Sequence, residues 1–376
     1  MANPEVDTRS AVRPRIPRPP DDVETPALVV DLEIVRANIA RMQWHADAAG
    51  VRLRPHVKTH KSLALGRMQL EAGAHGITVG TIGEAEVFGA AGFDDLFLAY
   101  PIWAGGSIGR RIRDLHERLA LRVGVDTTRA TEALAAATRG TRRPLQVLIE
   151  IDCGARRCGI RPELAGQLAR YAASVGLEPI GAYTYPGHGD RNPAARIAAS
   201  DDEVNALATA LAAIRDAGFE PVVASAGSTP TSAYSARPPV TELRPGEYIF
   251  NDLGKLRLGA CGPGDIGLFV ATRVVSDAVD GQVIVDAGTK ALGREGNDTI
   301  GYGMVPAVPG SFLRRLNEYH GYLEVPPDVE RPAVGEVLAL LPNHVCPAVN
   351  LFDELLVREA GEVVGRWPVD ARGHLN

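Results

Sequence analysis

The chain has 376 residues, 45% hydrophobic and 23% charged, with a formal net charge of -6. That composition describes a globular protein too long for one ordinary domain, and its charge offers no basic field for nucleic acid. No apolar run approaches the ~20 residues of a membrane span, and four sparse cysteines (Cys153, Cys158, Cys261, Cys346) suggest no disulfide framework. A reducing cytoplasm is the default location, with neither nucleic acid nor membrane as a partner.

Residues 1–23 are rich in Pro and Arg without an apolar core, so they read as a flexible tail rather than a secretory signal. A short strand at 26–30 then ends at Asp31, which is placed to cap the next helix. That helix carries Val35, Ile39, Met42 and Ala46 on one face and stops near Gly50. From there strand and helix alternate. Strands are expected at 51–57, 77–80, 95–100, 121–125, 145–151, 180–185, 221–225 and 241–244. Helical spacers are expected at 82–91, 107–119, 128–138, 162–175 and 196–217. Eight strands with helical spacers predict an α/β fold, a (β/α)₈ TIM-type barrel over 24–255.

Past about residue 255 helical periodicity nearly vanishes. Segments 269–275, 282–286, 321–325, 336–341 and 354–358 read as strands, which predicts a smaller β domain at 256–376 that includes or omits the strand at 26–30.

The carboxyl ends of barrel strands are where such folds build sites. The first delivers Arg54-Pro55-His56-Val57-Lys58-Thr59-His60-Lys61. A lysine half-enclosed by barrel wall has its amine activated by desolvation and attacks carbonyls. The seventh runs into Gly227-Ser228-Thr229-Pro230-Thr231, a small, hydroxyl-bearing turn of the kind that holds phosphate where N–H groups at a helix start attract an anion. A nucleophilic lysine opposite a phosphate turn is the layout that pyridoxal 5′-phosphate needs. Arg157 is either a structural ion-pair residue or a guanidinium aimed at the cofactor phenolate or a substrate carboxylate. Tyr185 either stacks on the cofactor ring or fills the barrel top. In the β domain, His344 and Cys346 stand two apart on what reads as an extended strand, so they share a face and can bind one ion. An imidazole with a thiolate suits Zn²⁺, and two protein ligands leave positions open for substrate.

Together, the lysine segment at 54–61, Gly227-Ser228-Thr229-Pro230, Arg244-Pro245-Gly246-Glu247-Tyr248 and Pro342-Asn343-His344-Val345-Cys346 resemble the metal-activated D-serine dehydratase and D-threonine aldolase family. The resemblance runs from about Thr25 to Val369. It implies the alanine-racemase-like architecture, fold type III of pyridoxal phosphate enzymes, and a homodimer. It also implies that Lys58 carries the cofactor and that Gly227, Ser228, Thr229 and Tyr248 help hold its phosphate. Arg157 would contact the cofactor, and His344 with Cys346 would be the metal ligands beside the substrate. The implied substrate is a D-β-hydroxy amino acid. Dehydration and deamination to a 2-oxo acid and ammonia is the favoured reaction, because His-x-Cys looks more like the dehydratases than the aldolases. The alternative is retro-aldol cleavage to glycine and an aldehyde, with His56, His60 and His188 as candidate bases. A carboxylate in place of the cysteine would better suit Mn²⁺ or Mg²⁺ than Zn²⁺. Barrel relatives that bind the cofactor without a defined reaction are single, shorter barrels, so the β domain argues against that reading.

Overall fold

The computed structural model describes residues 19–20 and 22–376, so the tail expected at 1–23 falls largely outside the described residues. The chain divides into two compact units. One holds residues 37–248, 257–260 and 369–376; the other holds the described residues up to Arg36 together with 249–256 and 261–368.

The strands are β1 (Ala27–Asp31), β2 (Arg52–Leu53), β3 (Ile77–Val79), β4 (Asp95–Leu98), β5 (Ala120–Val125), β6 (Gln146–Glu150), β7 (Glu178–Tyr183), β8 (Val223–Ala226) and β9 (Glu242–Leu243). They continue with β10 (Leu268–Ser276), β11 (Gln282–Val285), β12 (Gly303–Met304), β13 (Phe312–Leu316), β14 (Gly321–Glu324), β15 (Val337–Pro342), β16 (Glu354–Glu359) and β17 (Glu362–Pro368). The longer helices are α1 (Leu32–Ala48), α2 (Leu63–Glu71), α3 (Ile82–Ala90), α4 (Gly106–Arg118), α5 (Thr128–Ala137), α6 (Ala165–Ser174) and α7 (Pro193–Asp216).

In the first unit eight strands lie in the order β2-β9-β8-β7-β6-β5-β4-β3, every pair parallel. A parallel bridge between His56 and Thr78 joins the two ends and closes the ring. This is the barrel that the alternation predicts. Local chemistry starts its helices: the Thr81, Thr127 and Asn192 side chains accept the backbone N–H three residues on and cap α3, α5 and α7. Asp31 does the same for α1, accepting from the Ile34 N–H at 3.3 Å.

Two-residue periodicity sorts the strand side chains. Val147 and Ile149 of β6 and Leu96 and Leu98 of β4 join the layer packed under the helices. Leu148, Phe97, Ile180, Tyr183 and Val223 form a second cluster inside the ring. Ile180 and Tyr183 share that cluster although they are three apart, because the β6–β7 register shifts between Val147 and Leu148. Gly181 makes the shift. Its φ is +154°, and a Cβ there would stand 1.9 Å from the Val223 carbonyl oxygen. β2 and β9 are only two residues long, shorter than the expected 51–57 and 241–244, although backbone pairing runs on past them, the Arg54 N–H donating to the Leu243 carbonyl at 2.9 Å and the His56 N–H to that of Pro245 at 3.0 Å.

The second unit is a nine-stranded sheet with the path β13-β14-β11-β10-β1-β16-β17, in which β15 also pairs with β10, and β12 with β15. β1 lies in this sheet, antiparallel to β10 and parallel to β16. Val29, Phe269, Ala271, Ala339, Leu341 and Leu356 form its core. The strands β12, β13 and β17 were not expected from sequence. β13 carries a register shift between Leu313 and Arg315 that breaks its alternation, and β17 is a mostly exposed edge strand with no buried face to pattern it. No helix among the described residues is long and apolar enough to cross a membrane.

Gly181→Ala is expected to destabilise the protein by about 1–3 kcal/mol through overpacking and left-handed backbone strain, read by chemical denaturation. An unchanged midpoint would show that the bulge tolerates a side chain.

Candidate active site

Lys58 sits in a single 3-10 turn, Val57–Thr59, immediately beyond β2. The Lys58 N–H points at His56 Nδ1 over a long 3.4 Å. The side chain is exposed, where the sequence reading expected it half-enclosed by barrel wall. The chain contains four lysines, Lys58, Lys61, Lys255 and Lys290. Lys61, three residues on, is buried and its Nζ is 3.3 Å from Glu84 Oε1, so Lys58 is the amine of this segment presented to solvent.

Arg157 comes from the loop after β6. Ile151 and Ile160 pair across the loop's base, and the Asp152 carboxylate accepts the Gly154 and Arg156 N–H groups, both at 2.9 Å. That grip holds Arg156 in the left-handed region at φ 55° and brings Arg157 over the Tyr185 ring, 4.7 Å from its centroid. Lys58 Nζ lies 5.9 Å from the same centroid. Three residues singled out from sequence therefore meet on one aromatic ring. Gly187 leaves room for it, as a Cβ there would fall 2.7 Å from Tyr185 Cε1.

The histidines separate clearly. Burial pushes His60 down to about 4; its Nδ1 accepts the Ser62 N–H at 3.1 Å and its Nε2 faces Gln69 Oε1 at 3.1 Å. Gln69 Nε2 in turn donates to the Tyr248 hydroxyl at 2.9 Å, so His60 is committed to holding Tyr248. His188 Nε2 is engaged with Asp202 at 3.0 Å. His56 is held well below its ordinary value, first by burial and then by the charges of Lys58, Arg244 and others including Arg157. It is therefore a neutral imidazole beside Lys58.

Several interior groups went unnoticed in the sequence as site residues. Arg244 donates to Ser225 Oγ and to the Thr184 carbonyl, each at 2.6 Å, with its guanidinium 5.2 Å from the Tyr183 ring centroid. The Tyr183 hydroxyl donates to Glu150 at 2.7 Å, and burial pushes the Glu150 carboxyl up. Gly124 makes space for that hydroxyl, since its Cβ would lie 2.1 Å away. The available signal was charged and aromatic residues at inward positions of predicted strands.

The turn after β8 departs from the expectation of open amides. The Gly227 N–H is already bonded to the buried Glu203 carboxylate at 2.9 Å, and the Ser228 N–H to Thr231 Oγ1 at 3.0 Å. What the turn still offers an anion is its hydroxyls and the N–H of Thr229, which no group among the described residues accepts. Thr229 Oγ1 accepts the Tyr248 N–H at 3.0 Å, which leaves its own proton for donation. Ser228 and Thr229 each retain 8% exposure. An exposed amine, a guanidinium over an aromatic ring, a second, buried guanidinium and paired hydroxyls fit a flat, anionic carbonyl compound such as pyridoxal 5′-phosphate.

In the other unit β15 ends at Pro342. His344 is the residue before a five-residue helix, Val345–Val349, and Cys346 lies in its first turn. The strand expected at this pair is absent: His344 is extended, with φ -144° and ψ 118°, but the chain coils directly after it. The pair still converges, a His344 ring nitrogen and the Cys346 thiol lying within 4.8 Å of one another. His344 Nδ1 is also 4.0 Å from Glu295 Oε1, a carboxylate able to orient the ring. A soft thiolate beside an imidazole suits a divalent ion such as Zn²⁺.

The family model for the alanine racemase N-terminal domain matches residues 30–253, and the putative serine dehydratase domain matches 267–358. The chain belongs to the D-serine dehydratase and D-threonine aldolase family. It is 36% identical to D-threo-3-hydroxyaspartate dehydratase from Delftia sp. over 92% of this chain and 97% of that protein. The crystal structure of D-threonine aldolase from Filomicrobium marinum matches with a TM-score of 0.87 at 31% identity, covering 97% of this chain and 100% of that one. A cysteine-to-alanine mutant of D-threo-3-hydroxyaspartate dehydratase in the metal-free form matches with a TM-score of 0.84 at 34% identity, covering 92% of this chain and 97% of that one.

His344→Ala and Cys346→Ala are each expected to lower metal affinity by about tenfold or more, read as zinc content after dialysis. Unchanged content in both variants would show that the pair does not hold a metal.

Proposed function

We propose that the protein is a pyridoxal-phosphate- and metal-dependent lyase that converts a D-3-hydroxy amino acid to a 2-oxo acid and ammonia. The observation that carries this reading is the convergence of Lys58 and Arg157 on the Tyr185 ring, at 5.9 and 4.7 Å. The family relationship supports it. When bound, the cofactor supplies an electron sink for a bond broken at the amine-bearing carbon, and the metal supplies a Lewis acid for the β-hydroxyl.

The chain's own residues divide the remaining work. Lys58 would hold the cofactor carbonyl through its primary amine, and the same amine, when free, can take the α-proton of a bound substrate. Arg157 directs a planar, permanently charged fork at the cofactor phenolate or the substrate carboxylate. Tyr185 provides a flat face beside both cations. Ser228 and Thr229 donate hydroxyl protons to the phosphate, with Gly227 shaping their turn and Tyr248 fixed behind it by Gln69. His56 stands neutral beside Lys58. His344 and Cys346 hold the metal, with zinc favoured by the thiolate.

The ledger of atoms closes without an outside reagent. Water leaves as the α-proton and β-hydroxyl, and hydrolysis of the resulting imine returns one water and releases ammonia. A homodimer in the cytoplasm belongs to the same proposal. The second reading, retro-aldol cleavage to glycine and an aldehyde, is favoured by the likeness to D-threonine aldolase over 97% of the chain. There His56 would take the hydroxyl proton, His60 and His188 being committed to Gln69 and Asp202.

The test is to incubate the full-length protein with pyridoxal phosphate, zinc and D-threonine, D-serine or D-threo-3-hydroxyaspartate, and to analyse the products. Ammonia with the matching 2-oxo acid is expected. Glycine with an aldehyde would replace dehydration by the aldol reading, and no product from any of the three would contradict both.

A further inference from the structure

Helix α7 carries a buried polar row that the mechanism above leaves unused. Arg196, Ser200 and Glu203 recur at helical spacing on one face and are all buried. The apolar face expected of a helix on a barrel appears only further along, at Val204, Leu207, Leu211 and Ile214. Each polar residue reaches the turn after β8 or the short helix Ser232–Ser235 that follows. Arg196 Nε donates to the Pro230 carbonyl at 2.9 Å. Ser200 Oγ meets Ser235 Oγ at 3.1 Å. Glu203 accepts the Gly227 N–H at 2.9 Å on one oxygen and the Ser235 hydroxyl on the other.

Thr231 ties the next residue into the same turn: its Oγ1 accepts the Ser228 N–H at 3.0 Å and meets Ser228 Oγ at 3.1 Å. Glu203 thus satisfies the Gly227 amide, and Thr231 satisfies that of Ser228. A fully buried carboxylate would be costly here without these donors.

We propose that Glu203 is the positioning residue of the phosphate turn: by drawing the Gly227 amide inward, while Thr231 takes that of Ser228, it turns the Ser228 and Thr229 hydroxyls toward the phosphate and makes the site discriminate phosphorylated from unphosphorylated pyridoxal. The inference rests on the cofactor reading above. It concerns selectivity at the phosphate end alone, since Lys58 and Arg157 act at the ring end of the cofactor.

Glu203→Gln keeps the side-chain volume and one acceptor but places an N–H₂ donor against an N–H or O–H donor. The full-length protein and this variant are titrated with pyridoxal phosphate and with pyridoxal, following the absorbance of the lysine-bound form. The variant should bind pyridoxal phosphate at least about tenfold more weakly, a change of about 1.4 kcal/mol, while pyridoxal binding stays within about twofold. Thr231→Val, which removes the acceptor of the Ser228 N–H at similar volume, should shift the same ratio in the same direction and decides the matter if the glutamine variant does not fold. Equal weakening of both ligands, or of neither, would overturn the proposal. Failure of the unaltered protein to bind either ligand would instead overturn the cofactor reading.

Discussion

Everything at the mouth of the barrel depends on how the ring closes. Closure falls on β2, the two-residue strand that leads into Lys58: the Arg52, Arg54 and His56 N–H groups donate to the Thr241, Leu243 and Pro245 carbonyls, and the Leu53 and Pro55 carbonyls accept from His75 and Thr78. A side chain reinforces this pairing. Arg54 is fully buried; its Nη1 and Nη2 each donate to the Asp95 carboxylate at 2.9 Å, and its Nε donates to Glu242 at 2.7 Å. One guanidinium therefore ties the closing strand to β4 and β9 at once. Burial alone would raise the Glu242 carboxyl, but Arg54 and the Ser225 hydroxyl outweigh it and hold the group below its ordinary value. Loss of one partner from such a pair costs on the order of 3–5 kcal/mol, because the other charge stays buried and uncompensated.

Above this charged floor the barrel interior changes character in steps. Phe97 and Tyr183 pack edge to face at 5.0 Å across the middle. Arg244 lies against both rings, and Ser225 links it to Glu242 below. Polar contact thus runs from the floor to the level of His56, whose neutral form reflects burial and the surrounding cations. The loops that carry Lys58 and Arg157 each contain a non-glycine residue in the left-handed region, Lys61 at φ 51° and Arg156 at φ 55°. Such backbone persists only where neighbours over-determine it. Here Lys61 is held by Glu84 and by the Ala371 N–H, and Arg156 by Asp152. The scaffold places two cations on one tyrosine ring by fixing the backbone just beside each.

How much of this could be read from the sequence follows from what kind of interaction made each part. The eight barrel strands and their spacers follow from periodicity, so all eight were expected close to where they occur. Lys58, Arg157 and Tyr185 were legible as a set because the barrel rule collects strand ends, although Lys58 proved more exposed than a buried nucleophile. Arg244, Glu203 and Tyr183 act through neighbours distant in the chain, and no local pattern distinguishes a buried arginine with partners from a surface one. The phosphate turn shows the limit sharply: its small hydroxyl residues were visible, but not that Glu203, 24 residues earlier in sequence, had taken its first amide. His344 and Cys346 illustrate a conclusion reached by the wrong geometry. The two converge through a helix start rather than a strand face, since the chain coils right after His344.

The central claim is that Lys58, and no other amine, carries the cofactor. The most direct test is to load the full-length protein with pyridoxal phosphate, reduce it with borohydride, digest it and locate the pyridoxyl group by mass spectrometry. With only Lys58, Lys61, Lys255 and Lys290 in the chain, the assignment is unambiguous. The account predicts the label on Lys58. A label on Lys61 or on another lysine, or no label on a protein that has turned yellow, would contradict it.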